Sequence, residues 1–223
     1  MTDAPARDFS IPSILFLDLE TSGLYLDKRS AFDPAQPWAM ACAAMLCNEA
    51  GIITNAFTHI IKADGRTTKE NALKVHGITA QATARIGVPE PRVLGMLADM
   101  LKTAPVQGMR VVTYGDFDAR IIGSLFSRFG ESQGKPTAYD RLWTARPGTQ
   151  FIDLLKPWCQ QACKLPSGFE TSEFKWPTLD ESAEIILGRP PRTGAHDAWE
   201  DMLILRDLYF HFQRAGIFQR EAA

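Results

Sequence analysis

The chain predicts an α/β domain whose central mixed β-sheet, three antiparallel strands followed by two parallel ones, is flanked by helices. Three observations predict it. Three strand-patterned segments come first and follow one another as hairpins do, helical and strand periodicities then alternate, and 223 residues that are 45% hydrophobic and 22% charged suffice for one sizeable core.

The elements follow in order. Ser13 to Glu20 (SILFLDLE) is an apolar strand, and its period of two puts Asp18 and Glu20 on one face. Ser22-Gly23 ends it, and the polar stretch from Tyr25 to Pro37, with two prolines, reads as a loop. Trp38 to Cys47 and Ile52 to Lys62 are two further strands, joined across Asn48-Glu49-Ala50-Gly51 as an antiparallel hairpin. A helix starts near Thr67, with Thr67-x-x-Glu70 as a capping box. Val93, Met96, Leu97, Met100 and Leu101 give Pro91 to Lys102 an apolar helical stripe. Arg110 to Thr113 is a short strand. The helix Phe117 to Phe129 follows, with Ile121, Ile122, Leu125, Phe126 and Phe129 inward. Gly130 to Gly148 is a long polar loop, and Phe151 to Leu155 is the last strand. Leu179 to Leu187 and Ala198 to Ala215 close the chain as helices, each stopped by a glycine, Gly188 and Gly216. A flexible N-terminus over 1–12, one domain over 13–216 and a tail over 217–223 are expected.

Composition narrows the function. No apolar run reaches the roughly 20 residues of a membrane span, and MTDAPARDFS lacks the apolar core of a secretion signal, so an intracellular, cytoplasmic protein is expected. Four cysteines (Cys42, Cys47, Cys159, Cys163) suit a reducing compartment, and Cys159-x-x-x-Cys163 has no second Cys/His pair near it to complete a zinc site. A net charge of −2 argues against a broad duplex-binding surface but allows a grip on a few nucleotides at a strand end.

Three segments carry chemistry. In Phe16-Leu-Asp-Leu-Glu-Thr-Ser-Gly-Leu24 two carboxylates end an apolar strand; either a cation compensates them or the strand end drifts into solvent. In Val112-Thr-Tyr-Gly-Asp-Phe-Asp118 a strand turns into a helix, with Asp116 as its N-cap and Asp118 in its first turn; both acids could serve as caps only. In Gly194-Ala-His-Asp-Ala-Trp-Glu-Asp201, Asp197-x-x-Glu200 has capping-box spacing. That leaves His196 on the loop, free to face a cleft, and puts Asp201 about one turn beyond Asp197, with the small Ala198 nearby.

Together and in this order, the segments resemble the three motifs of the DEDD exonuclease superfamily: Asp-x-Glu, Phe-Asp and His-x-Ala-x-x-Asp. The histidine points to the DEDDh branch, which includes ribonuclease T and the epsilon proofreading subunit of bacterial replicative polymerase. Leu73-Lys-Val-His-Gly-Ile-Thr79 and Trp176-Pro-Thr-Leu-Asp180 are similar to further family segments, so the resemblance spans about residues 13 to 210. It implies a ribonuclease H-like fold. It departs from the family in the longer 25–37 and 130–148 loops, in Tyr114-Gly115 ahead of the second motif, and in Met40-Ala41-Cys42 on the second strand.

The resemblance implies a 3′→5′ exonuclease that releases nucleoside 5′-monophosphates. Asp18, Glu20, Asp118 and Asp201 would hold two divalent ions, Mg²⁺ or Mn²⁺ given all-oxygen ligands, for an in-line phosphoryl displacement. His196 would act as general base. Thr21 and Leu24 would contact the terminal nucleotide, with Leu24 either a wedge or a core residue, and His76 either lines the cleft or only ends a helix. Lys175, Arg189 and Arg192 could meet phosphates. Lys135, Tyr139, Arg141, Trp143 and Arg146 form either a strand-gripping flap or a packed loop. Asp153, Asp197 and Glu200 read as structural acids. The expected partner is a nucleic-acid 3′ end, single-stranded DNA before RNA, with no membrane; a homodimer or a polymerase-type partner is left open. The alternatives are an RNA-trimming enzyme, a non-catalytic nucleic-acid-binding module on the same fold, and an endonuclease.

Overall fold

Strand β1, Ile14–Thr21, is the middle of the molecule, and every residue from Ile14 to Glu20 is buried. The computed structural model describes residues 12–30, 33–103, 109–132, 134, 150–154, 158–168 and 172–217. β1 pairs antiparallel with β2 (Ala39–Cys47), which pairs antiparallel with β3 (Ile53–Ile60). On its other edge β1 runs parallel to β4 (Arg110–Thr113), and β4 parallel to β5 (Gln150–Asp153). The order is β3-β2-β1-β4-β5, so the expected arrangement of three antiparallel and two parallel strands is what the chain forms.

Both faces of β1 and β2 are covered, which is why they read as continuous apolar runs. Leu15, Leu17 and Leu19 pack on one side with helices α3 (Glu90–Lys102) and α4 (Phe117–Ser132). Ile14 and Phe16 pack on the other, against residues of two further helices. There the Phe16 ring lies 5.4 Å from Tyr209 and 5.9 Å from Phe210. Each such buried side chain contributes roughly 1.5–3 kcal/mol, so the sheet is clamped where β1 begins.

Four expectations need correction. The helix placed at Thr67 is α1, Glu70–His76, and its N-cap, Lys69, makes no side-chain cap. The segment before it is held extended, because Lys69 N donates to Ser22 O (3.0 Å) and the Trp38 indole donates to Thr67 O (3.1 Å), so no capping box forms at Thr67. Helix α2, Ala80–Ile86, was not expected; Thr79 Oγ accepts from Ala82 N, but the helix lies mostly exposed and carries no apolar stripe to betray it. Helix α4 runs through Gly130, which is buried inside it, and ends at Ser132. Finally, a single short turn, α5 (Gln160–Cys163), follows β5. The closing helices are α6 (Leu179–Leu187), whose Thr178/Glu181 capping box is complete, and α7 (Ala198–Arg214). No described helix is long and apolar enough to cross a membrane. The residues suggested for a flap (135–146), Leu155 and almost all of both proposed tails lie outside the described residues.

Candidate active site

Asp18 and Glu20 share one face of β1, and their register partners on β2 are Ala43 and Ala41. Two methyl groups therefore flank the two carboxylates, leaving space beside them. Asp118 reaches the same end of the sheet because β4 is parallel to β1 and α4 follows it at once. The turn between them is made by Gly115 (φ +90°), where a side chain would be strained. Thr113 Oγ donates to Gly115 O (2.6 Å), and Gly115 N donates to Asp153 Oδ1 (2.9 Å), so Asp153 is the structural acid expected of it. Asp116 gives α4 its first carbonyl, to Arg120 N, and its carboxylate lies 3.9 Å from Arg120. The third approach is the start of α7. Asp197 caps it by accepting from Trp199 N and Glu200 N, without the reciprocal half of a capping box. One turn on, Asp201 is buried while Asp197 stays exposed.

The four acids are thus brought together, each no more than 8% exposed. Their electrostatics confirm the proximity. Burial raises the pKa of Asp18 well above the carboxylate range, and Asp118, Asp201 and Glu20 raise it further, while Arg192 lowers it. Burial, then the charges of Asp201 and Asp197, push Glu20 up to about 7 against the pull of Arg192. Asp118 is likewise raised, first by burial and then by Glu20 and Asp201. Four acids in one dry place repel one another and call for cations.

Among the described residues Arg192 is the one arginine or lysine ion-paired to any of the four. Its Nη1 pairs with Asp201 Oδ1, and its Nε donates to Asp180 Oδ1 at 2.7 Å. Arg192, one of three basic residues that could meet phosphates on the sequence, lies against a site carboxylate. Lys175 and Arg189, given the same expectation, are ion-paired to Glu181 (2.5 Å) and Asp207 away from the acids.

His196 does not hang free. Its Nδ1 is 3.2 Å from Asp201 Oδ2, its side chain is 42% exposed, and its backbone N donates to Val75 O (2.9 Å), which ties the loop to α1. Ligating atoms of Glu20, His196 and Asp201 lie within 4.8 Å of one another, the one such His/Cys/acid group among the described residues. Asp18 and Asp118 stand behind it, coupled through charge. A buried, mutually repelling, oxygen-rich donor set fits a hard divalent cation.

Beside Glu20 opens a groove of about 690 Å³, bounded by Thr21, Gly23, Leu24, His76 and Phe117 among others. Leu24 is 76% exposed, which rules out the core-packing alternative and leaves an apolar side chain standing at the groove. Thr21 Oγ donates to Gly23 O (3.0 Å), fixing the turn. His76 is both helix end and groove wall. Its Nδ1 accepts from Ile78 N (2.9 Å), and burial lowers its pKa while the Thr21 backbone raises it, which favours the neutral ring. Phe117, between Asp116 and Asp118, also lines the groove, and nothing in its sequence position distinguishes a wall from a core residue. The Tyr114 hydroxyl bonds Pro177 O (2.9 Å), Thr178 O (3.0 Å) and Ser182 Oγ (2.7 Å).

The five-stranded order and its mixed pairing match the ribonuclease H-like fold. Among solved structures the chain is similar to E. coli exonuclease I in complex with a dT13 oligonucleotide, at TM-score 0.70 and 20% identity over 94% of this chain and 43% of that one. It is also similar to the zinc-bound form of the E. coli exonuclease I–ssDNA complex (TM-score 0.66, 20% identity, 92% and 41%) and to product-bound exonuclease I (0.65, 17%, 91% and 43%). The chain therefore spans about two fifths of the exonuclease I chains it matches. No protein-family model and no curated relative matches it.

Proposed function

We propose that this chain is a metal-dependent 3′→5′ exonuclease of the DEDDh type, acting on single-stranded DNA before RNA and releasing nucleoside 5′-monophosphates. One observation carries the reading: four buried carboxylates, one of them paired with Arg192 and with His196, gather beside a groove that Glu20 lines and that has an exposed leucine in its wall. The similar structures that hold DNA oligonucleotides or product support the choice of substrate.

Asp18, Glu20, Asp118 and Asp201 would hold two divalent ions. Bound there, Mg²⁺ or Mn²⁺ would supply Lewis-acid stabilisation of phosphoryl oxygens and an acidified water. The chain's own residues do the rest. Asp201, 3.2 Å from Nδ1, orients the His196 ring, which leaves Nε2 for the general-base role. Leu24 and Phe117 offer apolar surface to the terminal nucleotide, while the Thr21–Gly23 turn holds Leu24 in place.

The test is degradation of matched DNA and RNA oligonucleotides, labelled at either end, with Mg²⁺ or Mn²⁺, beside a circular single strand. Mononucleotides leaving the 3′ end, an intact circle, and a loss of about 10²–10⁴-fold in His196→Ala are expected. Cutting of the circle would make the protein an endonuclease, binding without turnover would make it a binding module, and preference for RNA would move it to RNA trimming.

A further inference from the structure

A second groove, of about 660 Å³, lies next to the first. The two share Lys69 and are separated by the ridge where Lys69 N donates to Ser22 O. The walls of the second groove are the 34–38 segment, residues 65–67, the start of α3 and the last turns of α4.

Its charge is lopsided. Arg66, Lys69 and Arg128 line it against one acid, Glu90. Arg66 is fully engaged: Nη1 bonds Glu90 Oε2 (2.5 Å), Nε bonds Ala63 O (2.9 Å), Nη2 bonds Lys62 O (3.0 Å), and the guanidinium lies 4.4 Å over Trp38. Arg66 and Glu90 thus cancel, and Lys69 and Arg128 remain. The stem of Lys69 lies across the ridge, close enough that a Cβ added to Gly23 would sit 2.8 Å from its Cδ. Arg128 makes no ion pair among the described residues. Burial lowers the pKa of its guanidinium, Glu90 and Tyr25 raise it, and Arg66 lowers it. A partly desolvated guanidinium with no carboxylate of its own is costly unless an anion arrives.

We propose that this groove is the track for the phosphodiester backbone of the substrate strand on the 5′ side of its terminal nucleotide, with Arg128 and Lys69 as its phosphate contacts. The proposal rests on the exonuclease reading. A strand whose 3′ nucleotide sits by Leu24 must leave across the Lys69 ridge or turn away from it, and positive charge without an ion pair among the described residues lies across that ridge. Such contacts position a strand without reading its sequence, and they weaken with salt.

The experiment uses the whole chain with Mg²⁺, and compares kcat and KM on oligodeoxythymidylates of about three and about twelve nucleotides. Wild type is expected to show a lower KM on the longer strand. Arg128→Gln is expected to raise that KM about tenfold, leave kcat and the short-strand KM unchanged, and reduce the salt slope of log kcat/KM by about one. Arg128→Lys should restore most of the slope. Should Arg128→Gln fail to fold, Ala35→Glu, on the exposed rim, carries the same expectation through added negative charge. An unchanged length dependence in folded variants, or equal KM rises on both strands, overturns the groove while leaving the exonuclease standing. Wild type that shortens neither strand overturns the exonuclease reading itself.

Discussion

The two ends of the β1 neighbourhood both hold acids, and they treat them in opposite ways. At the Ser13 end, Glu49 is saturated: Ser13 Oγ donates to it at 2.7 Å, Gln213 Nε2 at 3.2 Å, and Arg110 pairs with it while also bonding the Tyr209 hydroxyl at 2.7 Å. At the Glu20 end four more deeply buried acids stand together, and among the described residues Arg192 is the one arginine or lysine ion-paired to any of them. The first end is a finished contact between sheet and α7. The second is short of positive charge, and the difference teaches where the molecule is built to hold itself together and where it is built to take something up.

The largest effect should come from emptying the unfinished end. Asp18→Asn should lower the proposed exonuclease activity by on the order of a thousandfold, because a metal held there would be worth several kcal/mol. The same change should raise the melting temperature of the metal-free protein by about 2–4 °C, since it removes a repelling buried acid. A melting temperature that falls would mean Asp18 is structural after all.

Next in size is a pH effect. Glu20 holds its proton up to about 7 in the fold and only to 4.5 when unfolded. Between those values the unfolded chain binds fewer protons, so the metal-free protein should lose stability as pH rises through 4.5 to 7, on the order of 3 kcal/mol. Divalent cation should cancel the loss, and melting curves in EDTA and in Mg²⁺ across this range would show both. At the finished end, Glu49→Gln should cost about 1–3 kcal/mol by denaturant titration and spare kcat. The smallest change is Leu24→Ala, with a KM rise of about tenfold or less and stability within about 0.5 kcal/mol of wild type.

Much of this was legible because local rules and tertiary demands agree. The apolar β1 and β2, the hairpin between β2 and β3, and the stripes of α3 and α4 announce themselves by period. Helix α2 does not, because a helix that buries little writes no stripe. Thr67 misled for a related reason: its capping-box spacing is genuine, but the Trp38 indole and Ser22 carbonyl reach its segment from elsewhere in the chain. Leu24 could not be settled from sequence, since a leucine after a strand looks the same whether it turns in or out.

The sequence by itself determined the class of sheet, the order of the five motif residues and the pairing of Asp18 with Glu20 on one face, because period and chain order are one-dimensional facts. Only the tertiary structure decided which charges meet. That Arg192 lies on Asp201, that His196 leans on the same carboxylate, and that Arg128 has no ion pair among the described residues, depend on which helix ends the fold brings together. Electrostatic energy is set by distance and burial, and neither is written in the order of the residues.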